Sequence, residues 1–229
     1  MNLNLSLERR ELTDLVDAIL LDNKRSLNAA VLTLNGDFKD SLLWTPAVNA
    51  WRVTTTAGLL DLNTASVSAI DHVTAKTAGH YGKMVFSATR EQVLPANFSV
   101  YLSGMAQRSD RNLDTSEQMS LGGFNGIRAY PEGEATGDQG WLGSVELRYR
   151  AMQNLQLLGF YDAGGVEVNR NPYIKRKNGM HLSGSGIGAN VNWRAFSLKT
   201  SVAWRAGSPV PISDTDRNPR VWVQGSYAF

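Results

Sequence analysis

The stretch GIRAYPEGEATGDQGWLGSVELRYR, residues 126–150, sets Arg128 among Glu132, Glu134 and Asp138, between a glycine-rich approach and an alternating run. Those residue types support two kinds of chemistry. A guanidinium and a carboxylate make a directional, charge-assisted pair. Two neighbouring carboxylates such as Glu132 and Glu134 could divide general acid and base work. The second option needs a base, nucleophile or metal converging on the same place, and none accompanies them, so the chain does not read as an enzyme. Cysteine is absent, and His72, His80 and His181 stand far apart in no ligand spacing, which argues against zinc. Nothing resembles a phosphate loop. No cofactor or metal is called for. The net charge of +2 comes without a basic block, so nucleic acid is not an expected partner. Taken alone, a glycine-rich hairpin with scattered charges is an exposed loop with Arg128 solvated, and Glu132, Glu134 and Asp138 are read as solvated loop charges.

The elements that must position Arg128 show most clearly in the second half of the chain. Phe196, Leu198, Thr200, Val202 and Trp204 fall on one face of an extended segment, and Ser197, Lys199, Ser201, Ala203 and Arg205 on the other. Ile187, Ala189, Val191 and Trp193 likewise oppose Gly184, Gly186, Gly188, Asn190 and Asn192. Val145, Leu147 and Tyr149 oppose Ser144, Glu146, Arg148 and Arg150. In the last run, Val221, Val223, Tyr227 and Phe229 share a face, and Trp222 is the one large apolar residue on the polar side.

Such strands build either a soluble sandwich, apolar face inward, or an outer-membrane barrel, apolar face to lipid and polar face to a wet lumen. Aromatics gather at strand ends (Trp141, Trp193, Phe196, Trp204, Tyr227, Phe229), connections alternate short and long, and the chain ends on Tyr-Ala-Phe. These features favour the barrel. No stretch approaches the roughly 18 consecutive apolar residues of a membrane helix. The first half is less regular. Segments 27–37, 80–91 and 97–107 read as strands, 61–79 as a long connection, and 12–22 as either a short helix or an irregular connection. The expectation is an all-β antiparallel transmembrane barrel portion of roughly 10–12 strands.

The run SEQMSLGGFNGIRAYPEGEATGDQGWLGSVELRYR, followed by Phe160-Tyr161-Asp162-Ala163-Gly164 and a terminal aromatic, resembles the C-terminal barrel of two-partner secretion transporters, the ShlB/FhaC/HecB hemolysin secretion and activation family. The shared features are a Leu-Gly-Gly approach, an Ile-Arg-x-Tyr tip, a Gly-Asp-x-Gly descent and a strand bearing Glu-Leu-Arg. The resemblance implies a 16-stranded outer-membrane pore of a Gram-negative cell that exports an exoprotein such as a hemolysin or adhesin from the periplasm. It implies a hairpin over 123–140 folded back into the lumen, with Arg128 pairing with Asp162 on the wall and Glu146 as a second candidate.

Parity supports Glu146, which lies on the polar side of its strand. It supports Asp162 less directly, because Leu158 and Phe160 share that side. On this reading Gly122, Gly123, Gly126, Gly133, Gly137, Asp138 and Gly140 shape a slim hairpin. Ile127, Arg128, Ala129 and Tyr130 form its tip. Tyr227 and Phe229 serve as a C-terminal insertion signal for the barrel-assembly machinery. Ala129 stands where the family usually has glycine, which costs roughly 1 kcal/mol if that position needs a positive φ. A signal peptide and the periplasmic POTRA domains of the family are not visible, so residues 1–229 read as the C-terminal part of such a transporter. A passive porin-like barrel and a soluble β-sandwich binding module are the alternatives.

Overall fold

The computed structural model describes residues 1–16, 21–42, 44–207 and 209–228. Its elements are β1 (Asn2–Val16), β2 (Leu21–Asp40), β3 (Ala47–Leu62), α1 (Ala65–Val73), β4 (Gly79–Val93), β5 (Phe98–Ser109), β6 (Met119–Ser120), β7 (Thr136–Gly137), β8 (Gln139–Met152), β9 (Leu155–Glu167), β10 (Gly179–Trp193), β11 (Phe196–Arg205) and β12 (Arg220–Tyr227). Ten strands form one antiparallel meander in the order β1-β2-β3-β4-β5-β8-β9-β10-β11-β12, and β6 pairs only with β7. Among the described residues the sheet is open, with β1 and β12 as its edges.

The two faces of this sheet differ in a way a soluble sandwich would not tolerate. Leu3, Leu5 and Leu7 of β1, Val145 and Leu147 of β8, Ile187 of β10, and Val221 and Val223 of β12 are all exposed. The opposite face carries Thr56, Gln107, Glu146, Asp162, Ser201 and Arg220, all buried. Greasy residues outward and polar ones inward is the arrangement of a barrel wall with lipid outside.

Trp193, Phe196 and Tyr227 stand in register across β10, β11 and β12 at one end of the sheet. Trp141 and Trp204 lie toward the other end, so the aromatics mark two levels. Phe229 lies outside the described residues. A 15-residue strand at about 3.3 Å per residue reaches about 50 Å, longer than a hydrocarbon core of about 30 Å, so strand ends project from it.

Because the strands alternate in direction, the connections sort by end. Residues 41–42 with 44–46, 94–97, 153–154 and 194–195 lie in short turns at one end, and Ala96, Asn97 and Arg194 adopt positive φ there. At the other end lie 63–78, 110–138, 168–178 and, among the described residues, 206–207 with 209–219. The first of these is not a plain connection, since it contains α1. The helical option for 12–22 is also corrected. Residues 12–16 and 21–22 are paired strand, the β1 and β2 registers meeting at Val16 and Leu21, and 17–20 lie outside the described residues. Helical spacing of Leu12, Leu15 and Val16 arises here in a strand whose pairing partner, not its own period, decides the conformation.

The long connection 110–138 does not stay at its end of the sheet. It lies across the polar face, where Met119, Leu121, Ile127, Ala129, Tyr130 and Ala135 pack on Leu158, Phe160, Val166, Leu182 and Ala203. Its stem places Leu113 among Leu27, Ala29, Leu60 and Tyr81. Leu158 and Phe160 therefore break the polar alternation of β9 for a reason: they face this segment rather than water. The segment ends at Asp138, because Gln139 and Gly140 already belong to β8, so the expected range 123–140 is shifted toward the N-terminus.

Candidate functional site

The site forms where the inserted hairpin meets β8 and β9. Antiparallel register sets Ser144 beside Asp162 and Glu146 beside Phe160, so Asp162 and Glu146 stand diagonally on one face. On the other side of Asp162 the neighbour is Gly184 of β10. A β-carbon at Gly184 would come 2.5 Å from the Cβ of Ala129, so this glycine creates the recess into which the tip descends. Within the hairpin, Gly122 lets the two limbs touch, since a β-carbon there would meet the Pro131 carbonyl oxygen at 2.1 Å.

Arg128 enters that recess with all three guanidinium nitrogens engaged. Its Nε and Nη2 donate to the two oxygens of Asp162 at 2.9 and 2.7 Å, and its own backbone N–H donates to Asp162 at 3.1 Å. Nη1 donates to Glu146 at 2.8 Å, and Nη2 also reaches Ser144 Oγ at 3.1 Å. Ser144 Oγ donates in turn to Asp162 at 2.7 Å. The guanidinium carbon lies over the Phe160 ring, 3.4 Å from its centroid. Glu146 is shared with Arg148, whose Nε donates to it at 2.8 Å and whose guanidinium stacks over Tyr101. Arg128 is 9% exposed and Asp162 is fully buried. A bidentate, stacked guanidinium of this kind is a site lysine does not fill.

The remaining expected residues fall as follows. Gly122, Gly123, Gly126, Ile127, Ala129 and Tyr130 shape the tip, held by N–H donation from Ile127 to Leu121, from Gly123 to Tyr130, and from Tyr130 to Ile127. Ala129 is not among the residues with positive φ, so its methyl carries no backbone strain. The strained alanine of the hairpin is Ala135, with φ of 54°. Gly137 and Gly140 press against the backbone of Glu167 and Gly165 on β9. Tyr227 stands outward in the aromatic row, away from the Arg128 site.

Two readings of loop charges are corrected. Glu134 and Asp138 are buried rather than solvated. Asp138 accepts from the backbone N–H of Leu113 and Arg170 and from Gln118, tying the two ends of its own connection together and to 168–178. Burial pushes its carboxyl above the usual range, against those hydrogen bonds. Glu132 does remain exposed, accepting the Phe124 N–H.

Three contributors had no site role in the sequence reading. Ser144 and Trp222 were findable by parity alone, since both lie on the polar face. Trp222 donates its indole N–H to the Arg128 carbonyl at 2.7 Å, which is why a large aromatic sits there. Glu117 had no signal. It is buried between Lys83, at 2.7 Å, and Arg10, and those cations outweigh the burial that pushes its carboxyl up, holding it below its usual range.

An antiparallel sheet greasy outside and polar inside, with a long connection docked on the inner face by a buried guanidinium, defines the wall of an outer-membrane-type β-barrel. The match to the model of the haemolysin secretion/activation protein ShlB/FhaC/HecB family covers residues 2–191, and the chain belongs to that family.

It is similar to two sequences from Haemophilus influenzae named heme/hemopexin transporter protein HuxB. One is 24% identical over 211 residues and the other 25% over 213, each alignment covering 89% of this chain and 37% of the relative. The chain thus spans little more than a third of the length of the curated relatives it matches. Among solved structures it resembles CdiB from Acinetobacter baumannii, with 16% identity and a TM-score of 0.50, over 97% of this chain and 46% of that one.

Proposed function

We propose that this chain forms the C-terminal wall of an outer-membrane pore that passes a secreted exoprotein of the hemolysin or adhesin type from periplasm to cell surface. Residues 110–138 are its lumen plug, and Arg128 is the latch that docks the plug on Asp162 and Glu146. The observation that carries the reading is the Arg128 constellation itself: one hairpin arginine satisfied by two carboxylates and a hydroxyl from the wall, on the face away from lipid. The family's description as a secretion/activation protein supports export as the activity, and the relatives are named as transporters. A passive pore would have no use for a buried ion cluster holding a removable segment across its lumen.

The test is Arg128→Ala. Removing the guanidinium leaves two carboxylates facing each other, which costs about 3–5 kcal/mol for a fully buried pair and less in a wet lumen. Exoprotein yield in the medium should fall by at least about tenfold, the change that 1.4 kcal/mol makes in an equilibrium. Heat-modifiable migration, which reports insertion of the folded barrel, should stay near wild type. Undiminished secretion by this variant would remove the latch role.

A further inference from the structure

The plug is held from a second direction. Glu134 is 2% exposed, yet the donors that reach its carboxylate, among the described residues, come from one loop, 206–219, between β11 and β12. Ile212 N–H donates to it at 3.1 Å, Ser213 N–H at 2.9 Å and Ser213 Oγ at 2.6 Å. Two further contacts run the same way. Tyr130 Oη donates to the Pro209 carbonyl at 2.9 Å, and Trp222 at the start of β12 donates to the Arg128 carbonyl. The loop is itself braced to the wall, because Arg220 donates to Asp214 at 3.1 Å and to the Thr215 carbonyl at 3.1 Å.

Glu134 is also the point from which the tip is built. Its backbone carbonyl accepts the N–H of Gly122, at 3.1 Å, and of Leu121, whose own carbonyl accepts Ile127 N–H at 2.7 Å, one residue before Arg128. A buried carboxylate stripped of its donors is costly, so the hairpin and the strap 206–219 stay together or separate together.

We infer that Glu134 is a positioning residue: by fastening the hairpin to the β11–β12 strap, it sets where Arg128 meets Asp162. The inference rests on the latch reading above and extends it to a second loop. It makes the strap part of the plug, so that displacing the plug entails displacing an external loop as well.

The native chain has no cysteine, so Ala129→Cys supplies a single thiol at a position that is 1% exposed in the docked hairpin. In outer membranes, maleimide labelling of that thiol reports undocking. Adding Glu134→Ala should raise the labelling rate about tenfold through local opening, with heat-modifiable migration unchanged. Ser213→Pro, which removes two of the three strap donors and leaves the Ile212 N–H, should raise it by a smaller factor, and the two together should raise it no further than Glu134→Ala does. Glu134→Gln, which keeps an acceptor oxygen, should recover much of the protection.

Arg128→Ala is the reference. If it exposes the thiol and neither Glu134→Ala nor Ser213→Pro does, the strap inference fails and the latch stands. If Arg128→Ala leaves the thiol protected, the latch reading itself fails. Rapid labelling with no second substitution, in a variant whose 121–135 segment resists protease as well as the wild type, overturns both.

Discussion

At the scale of single residues, the Arg128 site depends as much on what is missing as on what is charged. Gly184 sits beside Asp162 on β10, and its lack of a side chain is what admits Ala129 and the arginine behind it. Its φ is ordinary, so Gly184→Ala carries no backbone penalty. The added methyl would instead meet the Ala129 Cβ at 2.5 Å, with the Trp204 carbonyl at 3.1 Å. Both atoms are fixed by backbone, so the tip must lift. Overpacking of this kind costs about 1–3 kcal/mol. Gly184→Ala should therefore speed proteolysis within 121–135 while leaving the barrel inserted. Ala129→Gly, harmless alone, should restore most of the protection in the double variant. Additive effects of the two substitutions, measured as a double-mutant cycle, would show that the methyls do not meet.

At the scale of elements, the inserted segment 110–138 is one connection tied down at several places, and its ties differ in how far the sequence revealed them. The Arg128 pairing with Asp162 was legible only through the family resemblance, which carries the Ile-Arg-x-Tyr tip and the Phe-Tyr-Asp run together, whereas Glu146 declares its side of the strand by alternation. The Glu117 and Asp138 ties could not be read. Each depends on where a loop of nearly thirty residues lands, and Arg10 lies 107 residues from Glu117. Charge in a loop reads as solvated until its burial is known.

Asp138 gives this point a measurable form. Burial raises its folded-state pKa above the unfolded value, so the folded state binds more protons between the two. Its contribution is fully present below the unfolded value and is lost as pH rises through the folded one. Asp214 and Glu117 act oppositely, since both are lowered, so the Asp138 share appears only as a difference between variants. Protease resistance of the 110–138 and 168–178 segments, compared between wild type and Asp138→Asn as pH rises from about 4, should diverge in that sense. Parallel profiles would mean that Asp138 titrates alike folded and unfolded.

At the scale of the whole molecule, alternation alone left two architectures open, and exposure decides between them. Val221, Val223, Ile187 and Trp193 face outward, while Arg128, Glu146 and Asp162 are covered, and lipid outside satisfies both sets. The first half was harder to read because its inner face is partly apolar. Leu27, Ala29 and Leu60 receive Leu113, and a strand apolar on both faces has no legible parity.

The open topology carries its own physical demand. Each edge, β1 and β12, presents a row of backbone groups without a strand partner among the described residues, and in hydrocarbon each such group costs several kcal/mol. The 229-residue chain reconstituted alone should therefore cover both edges, by joining them or by pairing with a second copy. Hydrogen exchange should find the amides of Leu3–Arg9 and Val221–Gln224 protected, and light scattering of the detergent complex gives the mass that separates closure from assembly. Freely exchanging edge amides in a monomer whose β8–β11 amides stay protected would mean that the apolar face of this sheet does not sit in lipid at all, because no bilayer would leave those groups unpaired.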